Sequence, residues 1–584
     1  MLELASSAIL SLCQALGILA LLLILLGLDL DKRWRLRHIP GPPALPFLGS
    51  LPQIIETGSP TFFQQCRTKY GPVFRVAFGR NWVVVVTDPE LMRQVGIRLL
   101  NRMMFRSVMR GDFARIDDLG LVMARGDFWR MLRNAWQPAF SPASLSGYFP
   151  RMVDCAVQLV ERLEKRAVEG GEAARVDIWR ELERMTLQVV GSTAYGVDFH
   201  AMDSKNDDSL ASVAAAATAD TVAATAALTS ADAASRRQYG HMLVKACHDI
   251  FRYNNVIHGS KYLRISLLLP ELRPLLSTLA YALPDLPFSK LLRARKQLRD
   301  ACISLIDNWK TAAAVPTSAA AAVEGPAYNN AAATAAASAA VTPAAPTVAV
   351  GSFLGLILSA RDKSSGDALS DLQVTAQVQT FILAGYETTA NGLAFAVYCV
   401  AANPEVELRL LEEIDSVLGS ERAPTEADLP QLPYTEAVFN EAMRLFPPIH
   451  MTSRVENTAV QVGEFIVPSQ MPIFLSISSS HHDPGIWPRA EEFIPERFMP
   501  DSPRYAEVCA RVPYAHSPFG YGSRMCIGLK FALQEAKVAL ARMYQRLRFQ
   551  LEPGQVPLKT MVGLTLSPRN GVWVRPVPRH SRGE

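Results

Sequence analysis

The chain has 584 residues, 49% of them hydrophobic, and its 59 Lys and Arg against 55 Asp and Glu leave a formal net charge of +4. That is enough apolar material for one large or two modest domains, and a balance so near neutral argues against a nucleic-acid protein, whose surface is strongly basic. The eight cysteines (Cys13, Cys66, Cys155, Cys247, Cys302, Cys399, Cys509 and Cys526) are scattered and never paired as Cys-x-x-Cys, so neither a zinc site nor a disulfide framework is indicated and the main body belongs in a reducing compartment.

No residue from Leu4 to Leu28 is charged, a length that spans a bilayer as a helix. Lys32, Arg33, Arg35 and Arg37 follow, and no Lys or Arg precedes the run. The positive-inside rule then predicts a cytosolic body and a luminal N-terminus. A cleaved signal peptide is the alternative, but the apolar run is long and has no clear small-residue cleavage site. The reading is a transmembrane signal anchor over 1–30 and a basic, Pro-rich hinge over 31–50, with Pro40-Gly41-Pro42-Pro43 extended. A catalytic domain occupies 51–584.

Val73–Phe78 and Trp82–Val86 read as strands, and most of the rest reads as helix. One helix is expected from Pro404 to Leu418, with Asn403 as N-cap and Gly419 as its stop. Two Ala-rich tracts, near 209–235 and 311–350, fit frayed helix or disorder equally. Pro316, Pro326, Pro343 and Pro346 favour a loose loop for the second. Both are expected to be insertions without chemistry.

The strongest motif is Phe519-Gly520-Tyr521-Gly522-Ser523-Arg524-Met525-Cys526-Ile527-Gly528. A thiolate that ligates a metal must be kept ionised and shielded. Gly522 and Gly528 would let the backbone turn around the sulfur, Phe519 would cover one side, and Arg524 offers a partner to an anionic group. Upstream, Glu441 and Arg444 lie three residues apart on one helix face, ahead of Pro447-Pro448 and the later Pro495-Glu496-Arg497-Phe498. Ala384-Gly385-Tyr386-Glu387-Thr388-Thr389 sits in an apolar stretch beginning near Leu372, and pairs an acid with an alcohol suited to proton transfer. Trp129 and Arg133 stand four apart.

In order and spacing these segments resemble the cytochrome P-450 family, from the Pro-rich stretch to the C-terminal strands. The fit is best for the branch holding vertebrate drug-oxidising members, thromboxane synthase and plant carlactone oxidases. The resemblance implies a mainly α fold with small β-sheets (α+β), haem b (iron protoporphyrin IX) as cofactor, and Cys526 as its axial ligand and the metal-binding residue. It gives Arg524, Trp129, Arg133 and Arg454 to the haem propionates, Phe519 and Gly528 to the ligand loop, and Glu441, Arg444 and Arg497 to a structural lock. Gly385 would open a groove for dioxygen, Thr388 would hold a hydrogen bond near the oxygen, and Glu387 would relay protons. Departures are the two Ala-rich insertions, Ser523 where proline is frequent, and His482 where arginine often stands.

The implied activity is that of a monooxygenase, an oxidoreductase acting on paired donors with O2 and inserting one oxygen atom into a lipophilic small molecule. No Gly-x-Gly-x-x-Gly follows a strand, so electrons are expected from a separate NADPH-dependent flavoprotein reductase on the same membrane, docking near Arg130, Lys530 and Lys537. The expected location is the endoplasmic reticulum membrane, single-pass, with the catalytic domain facing the cytosol. The alternatives are an oxygen-independent hydroperoxide or endoperoxide isomerase of the same fold, which needs no proton relay, and a non-catalytic haem sensor. Residues 105–122, 381–388, 449–453 and 563–566 are expected around the substrate; their mixed apolar and small character suits a lipophilic ligand.

Overall fold

The computed structural model describes residues 17, 27, 29–102, 108–202, 233–255, 259–314, 353–361, 366–509, 512 and 514–579. The apolar run from Leu4 to Leu28 lies outside these except for Gly17 and Gly27, so the expected anchor does too. Among the described residues, no helix is long and apolar enough to cross a membrane. The interiors of both Ala-rich tracts also lie outside.

Helices dominate. Those that position the site are α1 (Pro89–Arg98), α2 (Gly111–Leu119), α3 (Gly126–Trp136), α4 (Pro142–Gly170), α5 (Ile178–Val190), α6 (Ala233–Tyr253), α7 (Leu286–Ala314), α8 (Asp371–Ala401), α9 (Pro404–Leu418), α10 (Pro433–Leu445) and α11 (Leu529–Arg546). The strands are β1 (Val73–Phe78), β2 (Asn81–Val86), β3 (Val176–Asp177), β4 (Thr452–Arg454), β5 (Val460–Val462), β6 (Phe465–Val467), β7 (Ile473–Leu475), β8 (Leu547–Leu551), β9 (Thr560–Val562), β10 (Leu566–Pro568) and β11 (Trp573–Pro578). They form small sheets ordered β1-β2-β7-β4 and β3-β11-β8, with β9–β10 and β5–β6 as two-stranded pairs. The fold is thus mainly helical with small sheets.

β2 explains its own composition. It pairs antiparallel with β1 (Val73 opposite Val86) and parallel with β7 (Val84 opposite Ile473). Trp82, Val84 and Val86 point into one apolar cluster, and Val83 and Val85 into another. A strand covered on both faces has to be apolar at every position.

α8 is the central helix. Ser370 caps it by accepting from the Gln373 N–H, and the Gln373 side chain accepts from the Ser370 N–H in return, a capping box. Beyond the first turns the helix is buried nearly all round, as expected of one with no polar face. α5 and α10 press close against it: a Cβ at Gly385 would come within 2.6 Å of Val190, and one at Gly392 within 2.9 Å of the Met443 sulfur. α9 has the predicted bounds, with Gly419 at φ 64° after it, but the Asn403 side chain does not cap it. It donates instead to the Cys399 carbonyl of α8 at 2.7 Å.

The segment after the apolar run is fastened to the body. Asp29 is buried and accepts two hydrogen bonds from Arg80, at 3.1 and 3.0 Å, while a third Arg80 nitrogen reaches Glu271 at 2.7 Å. Arg75 N–H donates to the Pro40 carbonyl at 2.8 Å.

Behind α10 lies a fully buried charge cluster. Arg444 donates to both oxygens of Glu441 at 2.8 Å, and Arg497 Nε reaches Glu441 at 3.2 Å. Arg444 also holds the carbonyls of His481, Ala490 and Glu492. Replacing Glu441 by Gln leaves two interior guanidiniums without a counter-charge, so the folded state should lose about 3–5 kcal/mol, read as a fall in the urea midpoint.

Glu535 on α11 is a different case: it is buried and neither carboxylate oxygen has a hydrogen-bond partner. Burial pushes its acid well above the usual carboxylate range. The folded state therefore keeps this proton while the unfolded chain releases it above about pH 4.3, so stability falls as pH rises beyond that point until the folded group ionises. Glu535→Gln should raise the unfolding temperature at pH 8 and leave it nearly unchanged at pH 4, as differential scanning calorimetry would record.

Candidate active site

A cavity of about 2420 Å³ opens between α8 and the loop carrying Cys526. The loop's shape follows from its hydrogen bonds and glycines. Cys526 N–H donates to the Phe519 carbonyl at 2.9 Å, and Met525 N–H to Gly522 at 3.0 Å. Gly520 and Gly522 have φ of 80° and 66°, which L side chains rarely adopt. Gly522 also packs on α1, where a Cβ would meet the Gly96 carbonyl at 2.8 Å. The expectation for Gly528 is corrected in part: its φ is −88°, so left-handed freedom is not what it supplies. Its N–H favours the ionised form of the Cys526 sulfur instead.

Cys526 lies deep in the fold, and its accessible surface is cavity wall. Burial raises its thiol above the ordinary value, while the Gly528 N–H and then the charges of Arg133 and Arg102 oppose the rise. Such a sulfur waits as a thiol and becomes a thiolate once a cation binds it. No cluster of three His, Cys, Asp or Glu ligands occurs among the described residues.

Arginines crowd one rim. Arg524 stacks on Trp129, 4.1 Å from the ring centre, and its three nitrogens donate to the carbonyls of Leu100, Leu121 and Ala124. It therefore bolts the ligand loop to the chain before α3 as much as it offers charge. Arg133 donates to the Met525 carbonyl at 2.9 Å. Arg454 is fully buried, and its Nε and Nη2 have no partner. Arg102, which no sequence motif marked, donates to the Arg524 carbonyl at 2.9 Å while its Nε is buried and unpaired.

Burial first, then the charge of Arg102, brings Arg454 down to about 9. Arg524 also falls to about 9, through burial and then Arg102, Arg454, Arg133 and Arg125. Arg102 is lowered to about 10, chiefly by burial. Neither Arg102 nor Arg125 belongs to a motif that sequence reasoning could have used. Orphaned donors of one charge beside a lone cysteine fit a prosthetic group with two carboxylates that is held through sulfur, and haem has that form.

Across the cavity, α8 presents Phe381, Ala384, Gly385 and Thr388. Thr388 Oγ1 donates to the Ala384 carbonyl at 2.6 Å. Gly385 lines the cavity and also lets α5 close on the helix, since a Cβ there would meet Val190 at 2.6 Å. One expectation changes here. Glu387 does not line the large cavity; it faces a smaller one behind α8, because neighbours on a helix point about 100° apart.

Phe519 lines the cavity, as do residues from 109–122, 449–453 and 563–566; 103–107 lie outside the described residues. Glu441, Arg444 and Arg497 sit behind the Cys526 loop and do not line this cavity. His481 joins them to that loop: one ring nitrogen lies 3.2 Å from the Arg444 carbonyl and the other accepts from Ser517 N–H at 3.0 Å. Sequence reasoning missed this link because it spans 36 residues. Lys537 is no free docking charge, since it is buried and bonded to Leu429 and Glu436. Lys530 is exposed, and Arg130 is exposed but paired with Asp127.

The fold and this cavity, with one cysteine and a rim of arginines on its wall, fit a haem-binding protein. The family model described as Cytochrome P450 matches residues 39–254 and 349–574. Curated relatives include Cytochrome P450 3A16 of Mus musculus, 26% identical over 581 residues (97% of each chain), and Cytochrome P450 3A9 of Rattus norvegicus, 27% identical over 564 residues (96% of this chain, 95% of the relative). Cytochrome P450 3A7 of Homo sapiens is 25% identical over 553 residues, covering 94% and 93%. The chain belongs to the cytochrome P450 family and is a cytochrome P450 monooxygenase, using haem iron, dioxygen and a redox partner on a small-molecule substrate.

Replacing Arg454 by Met removes the orphaned cation. Haem transfer from the holoprotein to apomyoglobin should quicken about 10-fold or more, the cost of one charge-assisted bond of roughly 1.5–3 kcal/mol. The apoprotein should lose no stability.

Proposed function

We propose that this chain inserts one atom of dioxygen into a bulky lipophilic molecule, with electrons from a separate NADPH-dependent flavoprotein reductase. The observation that carries the reading is that Cys526 and Thr388 line the same large cavity, whose other walls include Phe381, Leu383, Ile449, Met451 and Leu564. Haem b, bound through Cys526, supplies the reactive oxygen chemistry. Arg454 and Arg102 bring unpaired donors to its propionates, and Arg133, Arg524 and Trp129 complete that rim. Phe519 and Gly528 enclose the sulfur.

Thr388 spends its one donor on Ala384, which leaves its oxygen lone pairs to accept from a proton-bearing water in the cavity. Glu387, next along the helix, is the proton reserve. Burial and then the charge of Glu183 hold its acid well above the usual carboxylate range. The apolar walls favour a lipophilic substrate, and the volume favours a large one.

The expected setting is the endoplasmic reticulum membrane, with residues 1–30 as the anchor, 31–50 as the connecting segment, and the catalytic body from 51 on facing the cytosol. Two exposed apolar rows support it: Leu30, Trp34, Leu45, Leu48 and Ile55, and then Leu272, Leu275, Leu279, Leu283 and Leu286. They meet at Arg80, which binds both Asp29 and Glu271, and exposed apolar patches of this kind seat proteins on lipid. Thr388 on the cavity wall favours monooxygenation over the isomerase and sensor readings, neither of which needs a proton-handling alcohol.

The test is product formation by the full chain with reductase in phospholipid. It should require both NADPH and dioxygen, and the ferrous–CO complex should absorb at the thiolate position in the wild type but not in Cys526→Ala. Thr388→Val should lower product formed per NADPH consumed, with turnover down by about 100-fold. Turnover that proceeds without NADPH or dioxygen would point to the isomerase.

A further inference from the structure

Arg569 lines two spaces at once. It follows the β9–β10 hairpin on the wall of the large cavity, and it also lines a second cavity of about 180 Å³ behind α8. Phe251, Met561, Gly563 and Thr565 are likewise common to both linings, so the end of α6 and the hairpin form a shared partition. Gly563 adds no side chain to it, and a Cβ there would meet nothing nearer than the Phe251 carbonyl at 3.5 Å.

The far side of this partition is cationic. Arg252 and Arg569 are both exposed there, and neither forms an ion pair among the described residues. Deeper in, Arg180 is already matched by Glu183 at 2.8 Å. Glu387 is the one acidic residue in the lining, and burial with the Glu183 charge keeps it in its acid form. No carboxylate of the lining therefore answers the two outer guanidiniums. Other cations of the large cavity are engaged: Arg295 pairs with Asp117 at 2.8 Å, and Arg110 donates to the Pro274 carbonyl at 2.7 Å.

A lipophilic acid in an apolar cavity has to place its charge where it is neither dry nor unpaired. The partition offers such a place. The carboxylate stays beside water while planar guanidinium forks match its two oxygens, and the hydrocarbon lies in the large cavity along α8.

We propose that Arg569 and Arg252 bind the terminal carboxylate of the substrate, so that the favoured substrates are long lipophilic acids. The end remote from the acid then points between Cys526 and Thr388. The inference rests on the reading of the large cavity as a monooxygenase site and adds to it the class of substrate and the end that is oxidised.

The test uses the haem-loaded full chain in phospholipid nanodiscs, with hexadecanoate and methyl hexadecanoate as probes and the Soret shift as readout. The acid should bind the wild type about tenfold more tightly than the Arg252→Gln, Arg569→Gln double variant, and the ester should bind both alike. Lysine at both positions should recover most of the difference. The ferrous–CO spectrum should be the same in all three proteins. With reductase, the wild type should oxidise hexadecanoate toward its methyl end, and the glutamine variant should spread the product along the chain.

Equal affinity of the wild type and the glutamine variant for the acid overturns the proposal. So does an equal loss for acid and ester, or a Soret band that neither probe shifts. Turnover of hexadecanoate without NADPH or dioxygen sinks the monooxygenase reading instead and leaves the carboxylate site standing.

Discussion

Glu441 is the group the proximal half of this molecule hangs on. One carboxylate in a dry interior faces two guanidiniums, and each of the three would be prohibitive alone. Arg444 spends its remaining donors on backbone carbonyls at His481, Ala490 and Glu492, and Glu441 also takes the Ile494 N–H. An irregular stretch with little secondary structure of its own is thereby pinned. His481 passes the constraint to Ser517, two residues before the loop that bends around Cys526. Such clusters add little net stability compared with apolar packing. Their effect here is that any other path for residues 481–494 strands a buried charge.

The opposite rim of the same loop is arranged the other way. Around Arg524 the charges that act most strongly are other arginines, and Arg454 and Arg102 keep donors with nothing to bind. The protein bears an unfavourable concentration of like charge on this rim, of the kind that a dianionic group would relieve, and a ligand that binds only the folded state adds to its stability. The two clusters share the Cys526 loop between them: one is paired within the protein, and the other keeps unpaired donors.

Much of this was legible in the chain. The Phe519–Gly528 motif, the acid–alcohol pair on a long apolar helix, the strands at Val73–Phe78 and Trp82–Val86, and the helix between Asn403 and Gly419 all rest on local spacing, which sequence preserves. What stayed hidden depends on distant contacts. Gly385 lines the cavity, but that its missing Cβ also admits Val190 of α5, 195 positions away, has no local signal. Gly528 was assigned a turn that Gly520 and Gly522 make. Lys537 looked like a surface cation until α11 was laid against Glu436 and Leu429. Arg102 has no motif and enters only when β4 brings Arg454 beside it.

Sequence alone determined the chemistry on offer: a cysteine in a glycine-bounded loop, a threonine and glutamate side by side, and arginines enough to hold an anion. These depend on residue identity within a few positions, where the chain cannot rearrange. Tertiary structure decided which way each group faces. The 100° step between neighbours on α8 sends Thr388 to the large cavity and Glu387 to the small one, and only the packing of α5, α6 and the β9–β10 hairpin makes a chamber for the second.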